Sequence, residues 1–125
     1  MNENKITIHS NLTEFILIDS ITDIGPTHII GTKNFDDVPF YLGLEAIAQL
    51  GAYHVRYLAD FTKHAFLLKI IRCTIPQQSR LSGEFQLHGA LISKSHSAFS
   101  YDIQASRNHV RIDGTFLFTI ADYDP

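Results

Sequence analysis

Glu45 and Gln49 are four residues apart in a run, 42–59, whose other polar members are His54 and Arg56. Residues at that spacing share one face of a helix. A carboxylate near a helix N-terminus is favoured by the macrodipole. Shielded from water, a carboxyl holds its proton more readily and can serve as a general acid or base. The same spacing also fits an ordinary solvated helix edge, and spacing alone leaves both readings open.

The other reactive side chains carry weaker patterns. No pair among the seven histidines has metal-ligand spacing on one helix face, so no metal and no cofactor is expected. His9 lies near the start of the chain. His28 falls on the second predicted strand and is a secondary candidate for facing a site. His64, His88, His96 and His109 read as strand-end or solvent-facing residues. Ser97 and Ser100 beside His96 form no recognisable nucleophile arrangement. Asp36-Asp37 reads as loop solvation or helix-dipole complementation. Lys69, Arg72, Arg56 and Arg80, taken alone, read as solvated charge. The single cysteine, Cys73, excludes an internal disulfide framework and a thiolate-rich zinc site, and a cytoplasmic protein is expected.

These residues need a scaffold of one domain. The chain has 125 residues, 45% of them hydrophobic, which permits one core and argues against two. A net charge of -3, from 10 basic and 13 acidic residues, is too mild to mark a nucleic-acid or membrane-surface binder. The run 42–59 is interrupted too often for a membrane span. Met1 to Ile8 shows no signal-peptide pattern.

Residues 15–24 are rich in β-branched and aromatic types and predict a strand. Gly25-Pro26 marks a turn into a second strand over 27–34. A loop, 34–41, then leads to a helix over 41–61. Gly51 inside that helix points to a close packing contact. Strands follow over 65–75, 80–92, 97–106 and 110–121, with clear alternation in the stretch from Val110. Their short links favour an antiparallel meander. On a helical wheel with Glu45 at zero, Arg56, Gln49, Asp60 and Tyr53 fall within about 80°, while His54 falls near 180°. His54 is therefore assigned to packing or an interface. The polar stripe is narrow and the apolar arc unusually wide. A wide arc and six strands imply an α+β domain with a curved sheet wrapped around one helix.

The segment Val38-Pro-Phe-Tyr-Leu-Gly-Leu-Glu-Ala-Ile-Ala-Gln49 resembles the start of the central helix in hotdog-fold 3-hydroxyacyl-carrier-protein dehydratases. Its shortened Val-Pro-x-x-x-Gly-x-Glu form is most similar to the aryl-polyene-type branch. Phe15-Ile-Leu-Ile-Asp19 and Phe66-Leu-Leu-Lys-Ile-Ile-Arg72 resemble the family's first strand and the strand after its helix. The resemblance implies a hotdog fold and a homodimer or higher oligomer with an acyl tunnel between subunits. It implies a 3-hydroxyacyl thioester as substrate, carried by an acyl carrier protein or coenzyme A, in fatty-acid or polyene biosynthesis. Glu45 takes the position of the catalytic acid and Gln49 that of its supporting neighbour. Gly43 takes the position of an amide facing the thioester carbonyl. Lys69 and Arg72 fall where an acidic carrier docks.

Elimination of water from such a substrate needs a base for the proton beside the carbonyl and an acid for the departing hydroxyl. The loop that carries the family's usual histidine has none here. His9 aligns with an alternative histidine before the first strand only through a short insertion; Asn11 holds the gapless position. Two further readings stay open: a non-catalytic acyl-binding or partner subunit, and a hotdog thioesterase.

Overall fold

Strand-forming sequence on both sides of one apolar helix builds a single antiparallel sheet around it. The computed structural model describes residues 18–123. The elements run β1 (Ser20–Ile24), β2 (His28–Pro39), α1 (Tyr41–Leu58), β3 (Lys63–Thr74), β4 (Arg80–Lys94), β5 (Ala98–Arg107) and β6 (Val110–Asp122). The sheet order is β1-β2-β4-β5-β6-β3, with every neighbouring pair antiparallel.

The Gly25-Pro26 turn joins β1 and β2 as expected, and the Gly25 amide donates to the His28 carbonyl at 2.9 Å. The predicted first strand is described from residue 18 onward; among the described residues β1 spans Ser20–Ile24, and the Asp19 amide also donates to the Thr32 carbonyl of β2 at 2.8 Å. The segment read as a loop before the helix is instead the end of β2. Val38 and Pro39 pair with Leu81 and Arg80 of β4 after a register shift between Phe35 and Val38. Asp37 takes the left-handed conformation there (φ 52°). Arg80 fixes this bulge, donating to the Asp37 carboxylate at 2.7 Å and to its carbonyl at 2.5 Å.

The last four strands are not one meander. β4, β5 and β6 follow each other, but β3 lies outside β6. Both edges of β4 are taken, by β2 and β5, so β3 pairs with the free edge of β6 instead. That leaves β3 as an edge strand whose second side has no partner among the described residues.

The helix ends three residues before the predicted 61. Asp60 and Phe61 are left-handed (φ 53° and 57°), and the Phe61 amide reaches back to the Arg56 carbonyl at 2.7 Å. Such a bond satisfies an orphan carbonyl and closes the helix. The core lies between α1 and the concave face of the sheet. Ile47, Leu50 and Val55 of the helix meet Phe85, Tyr101 and Phe118 there, all essentially inaccessible to water. Gly51 is a close packing contact: a β-carbon would stand 2.7 Å from both Ile103 and Phe118 side-chain atoms.

Candidate functional site

The buried residues of α1 are Gly43, Ala46, Ile47, Leu50, Gly51, His54 and Val55, one face of a 3.6-residue helix. Glu45 lies on the opposite face and is exposed in the single chain. Gln49, Tyr53 and Arg56, half-buried, share its side, with Ala48 and Ala52 between them. The curved sheet thus packs around the buried side of the helix and leaves the side that carries Glu45 open. The apolar arc is wider than the sheet: Leu42, Leu44, Ala48, Tyr53 and Leu58 are only partly buried against the core. Tyr41, at the start of the same open face, is 54% exposed.

Local geometry also revises how the helix start could act. No acidic residue falls in the first turn, so Glu45 sits beyond the range where the dipole acts strongly. The Gly43 amide, placed by resemblance against a thioester carbonyl, donates instead to the Phe40 carbonyl at 2.8 Å. Gly43 faces the sheet. A β-carbon there would lie 2.5 Å from Ile112 Cδ1 and 2.9 Å from Leu81 Cδ1, so this position lets the helix approach β4 and β6 closely.

His54 is fully buried and fully partnered. The Gly25 carbonyl can only accept, so Nε2 carries the proton and donates to it at 2.6 Å. Nδ1 then accepts from the Tyr101 hydroxyl at 2.5 Å. Burial pushes the His54 pKa below its usual value, against the pull of the Gly25 carbonyl; the His28 charge pushes the same way as burial. Burial also raises the Tyr101 phenol well above its usual range. His54 is therefore a neutral strut between the β1–β2 turn, α1 and β5, in keeping with its assignment to packing.

The other sequence candidates scatter. His9 and Asn11 lie outside the described residues. His28 is drawn to Asp23 at the β1–β2 turn, with Nε2 and Oδ2 2.9 Å apart. Lys69 and Arg72 pair in register with Leu117 and Thr115, whose side chains alternate with the buried Phe116 and Phe118. Paired residues share a face, so both basic side chains project from the convex face of the sheet, away from Glu45. Arg72 donates from Nη1 to Asp113 Oδ1 at 3.3 Å.

A cavity of about 300 Å³ opens on that convex face, lined by residues including Arg72, His88, Asp102, Gln104, Arg111 and Asp113. Apart from Arg72 and His88, sequence reasoning passed these residues over. The available signal was strand alternation, which puts Arg111, Asp113 and Thr115 on one face of β6. Among the described residues, no three His, Cys, Asp or Glu side chains converge as a metal site, and no helix is long and apolar enough to cross a membrane.

No family model matches the chain, and no curated protein matches it. Solved structures resemble it closely in shape. The dehydratase heterocomplex ApeI:P from Xenorhabdus doucetiae superposes with a TM-score of 0.76 at 12% identity, covering 91% of this chain and 87% of that chain. A mutant thioesterase from Staphylococcus aureus gives 0.73 at 12% identity, covering 89% and 98%. A hypothetical thioesterase with coenzyme A from Streptococcus pneumoniae gives 0.67 at 10% identity, covering 84% and 87%. At such identities the likeness establishes the hotdog fold, with its one helix against a curved six-stranded antiparallel sheet.

Proposed function

We propose that this chain is a hotdog subunit that processes acyl thioesters, and that its reaction is dehydration of a 3-hydroxyacyl thioester with Glu45 as the acid. The observation that carries the proposal is the placement of Glu45. It is a carboxylate on the one helix face that the chain's own sheet leaves uncovered, flanked by Ala48, Ala52 and Tyr41. An uncovered helix face that sets Ala48, Ala52 and Tyr41 beside Glu45, Gln49 and Arg56 implies a second surface. Closed by one, the Glu45 carboxyl would lie in a dry groove suited to an acyl chain.

The second surface is a second subunit. β3 exposes Phe66 (49%), Leu68 (57%) and Ile71 (53%), together with Leu67 and Ile70, along an edge with no partner strand among the described residues. Long, apolar, open edges pair with other chains. A homodimer joined along β3 turns this liability into a continuous sheet, and a higher oligomer remains compatible with it.

In the reaction a base removes the proton beside the thioester carbonyl. Electrons move to expel the 3-hydroxyl, which takes the Glu45 proton and leaves as water. Gln49, one turn along the same face, is placed to hold the carboxyl or substrate. Gly43 contributes through packing, by seating the first helical turn against Leu81 and Ile112. His9 is the proposed base. Lys69 remains the proposed contact for an acidic carrier protein, with Arg72 as a secondary contact tied to Asp113.

The test is turnover of 3-hydroxyacyl thioesters of carrier protein and of coenzyme A by the chain and its Glu45→Gln variant. Enoyl thioester made by the former and not the latter supports dehydration. Release of free acid and thiol would transfer Glu45 to thioester hydrolysis. A second reading is a non-catalytic acyl-binding or partner subunit, favoured by the segment before the helix, which carries no histidine and is a paired strand. Acyl-carrier binding without product would decide for it.

A further inference from the structure

The cavity on the convex face is separated from Glu45 by the full thickness of the sheet, so the chemical steps proposed at Glu45 do not use it, and of its lining only Arg72 is shared with the proposed carrier contact. Its geometry is that of a charged clamp. Asp113, whose side chain is only 17% exposed, holds two guanidiniums at once. Arg111 donates from Nε to its Oδ2 at 2.9 Å, and Arg72 from Nη1 to its Oδ1 at 3.3 Å. Asp102 is engaged too, accepting from the Thr115 hydroxyl at 2.7 Å and lying 4.0 Å from Arg72.

Both carboxylates are thus occupied while many donors are not. A guanidinium has five N–H donors, and the bonds above leave both terminal nitrogens of Arg111 and part of Arg72 unused. Across the cavity the side chains of His88 and Gln104 make no hydrogen bond among the described residues. Lys69 adds a third cation along the same face. Guanidiniums already fixed by a shared carboxylate lose little freedom on gripping a ligand, and their fork geometry matches carboxylate and phosphate oxygens. A volume of about 300 Å³ is at the lower end of small-molecule sites.

We propose that this cavity binds a small organic oxyanion, gripped by Arg111 and Arg72 and read by His88 and Gln104, independently of the Glu45 site. Carboxylate and phosphate ligands share this chemistry, and two probes separate them. Backbone amide NMR shifts of the full chain are followed during titration with citrate and, separately, with inorganic pyrophosphate, at constant ionic strength.

The expected result is saturable shifts confined to the lining segments, at residues 72, 88–90, 102–104 and 111–114. Saturation by citrate alone assigns a carboxylate ligand, and by pyrophosphate alone a phosphate. Arg111→Gln should weaken binding about tenfold or more, as loss of a charge-assisted bond does. Gln104→Leu, which leaves the ion pairs intact, should weaken it as well, and it decides the matter if Arg111→Gln does not fold. Glu45→Gln should leave the titration unchanged. Linear, unsaturable shifts with both probes, shifts elsewhere, or saturation indifferent to Arg111→Gln and Gln104→Leu would overturn the proposal.

Discussion

Two polar side chains of one helix show how differently burial treats chemistry. Glu45 is exposed and makes no contribution to the core, so Glu45→Gln should change unfolding free energy by less than about 0.5 kcal/mol. The same substitution should cost about 10²- to 10⁴-fold in dehydration rate, the usual worth of a general acid. Denaturant titration beside an enoyl-thioester assay checks both halves. His54 should behave in reverse. Its folded pKa lies below the unfolded value of about 6.5, so the unfolded chain binds the extra proton more readily. His54 therefore adds stability that is complete above that value and is lost as the pH falls from it toward the lowered folded pKa. His54→Leu should remove that part of the pH dependence. It should also cost about 1–3 kcal/mol at neutral pH, because the Gly25 carbonyl and Tyr101 hydroxyl lose their partner in the interior. Denaturant midpoints measured across the acid range for both proteins test the sign. The wheel angle of His54 already set it apart from Glu45. Its partners, 29 and 47 residues away in sequence, could not be read from any local pattern.

At the scale of elements, local patterns were the reliable ones. Each strand after the helix and the helix itself lie within a few residues of their predicted bounds, because alternation and the 3.6-residue period are local properties. The neighbour of β3 is a different kind of fact. Which edge a strand joins depends on which edges are already occupied, and no window of sequence holds that information. The strand content of the segment before α1 escaped for a related reason: a bulge at Asp37 broke its alternation. Gly51 is the clearest element-level test. Alanine there gains about 1 kcal/mol in helix propensity. It must also fit a β-carbon 2.7 Å from Ile103 and Phe118, both locked in the core. Overpacking of that kind costs about 1–3 kcal/mol, so Gly51→Ala should lower the thermal midpoint despite its better propensity. A raised midpoint would mean that α1 can move off the sheet more freely than its packing implies.

For the whole molecule, the two uncovered surfaces are linked. One is the helix face around Glu45 and the other is the open edge of β3, and a subunit added along β3 is the simplest way to close the first by extending the second. Light scattering on the eluting protein should therefore give twice the monomer mass. Leu68 is the most exposed apolar residue of β3, so Leu68→Glu should disturb the isolated fold little while placing a charge in the joint. That variant should elute as a folded monomer, its melting transition intact. If the dimer also completes the acyl groove, its specific activity should fall with the loss of the dimer, and the activity of the parent chain should fall on dilution in step with dissociation. A monomeric Leu68→Glu protein that dehydrates as fast as the parent would place the whole reaction within one chain. The exposed carboxylate would then have to work in open water, where an acid gains nothing from its surroundings.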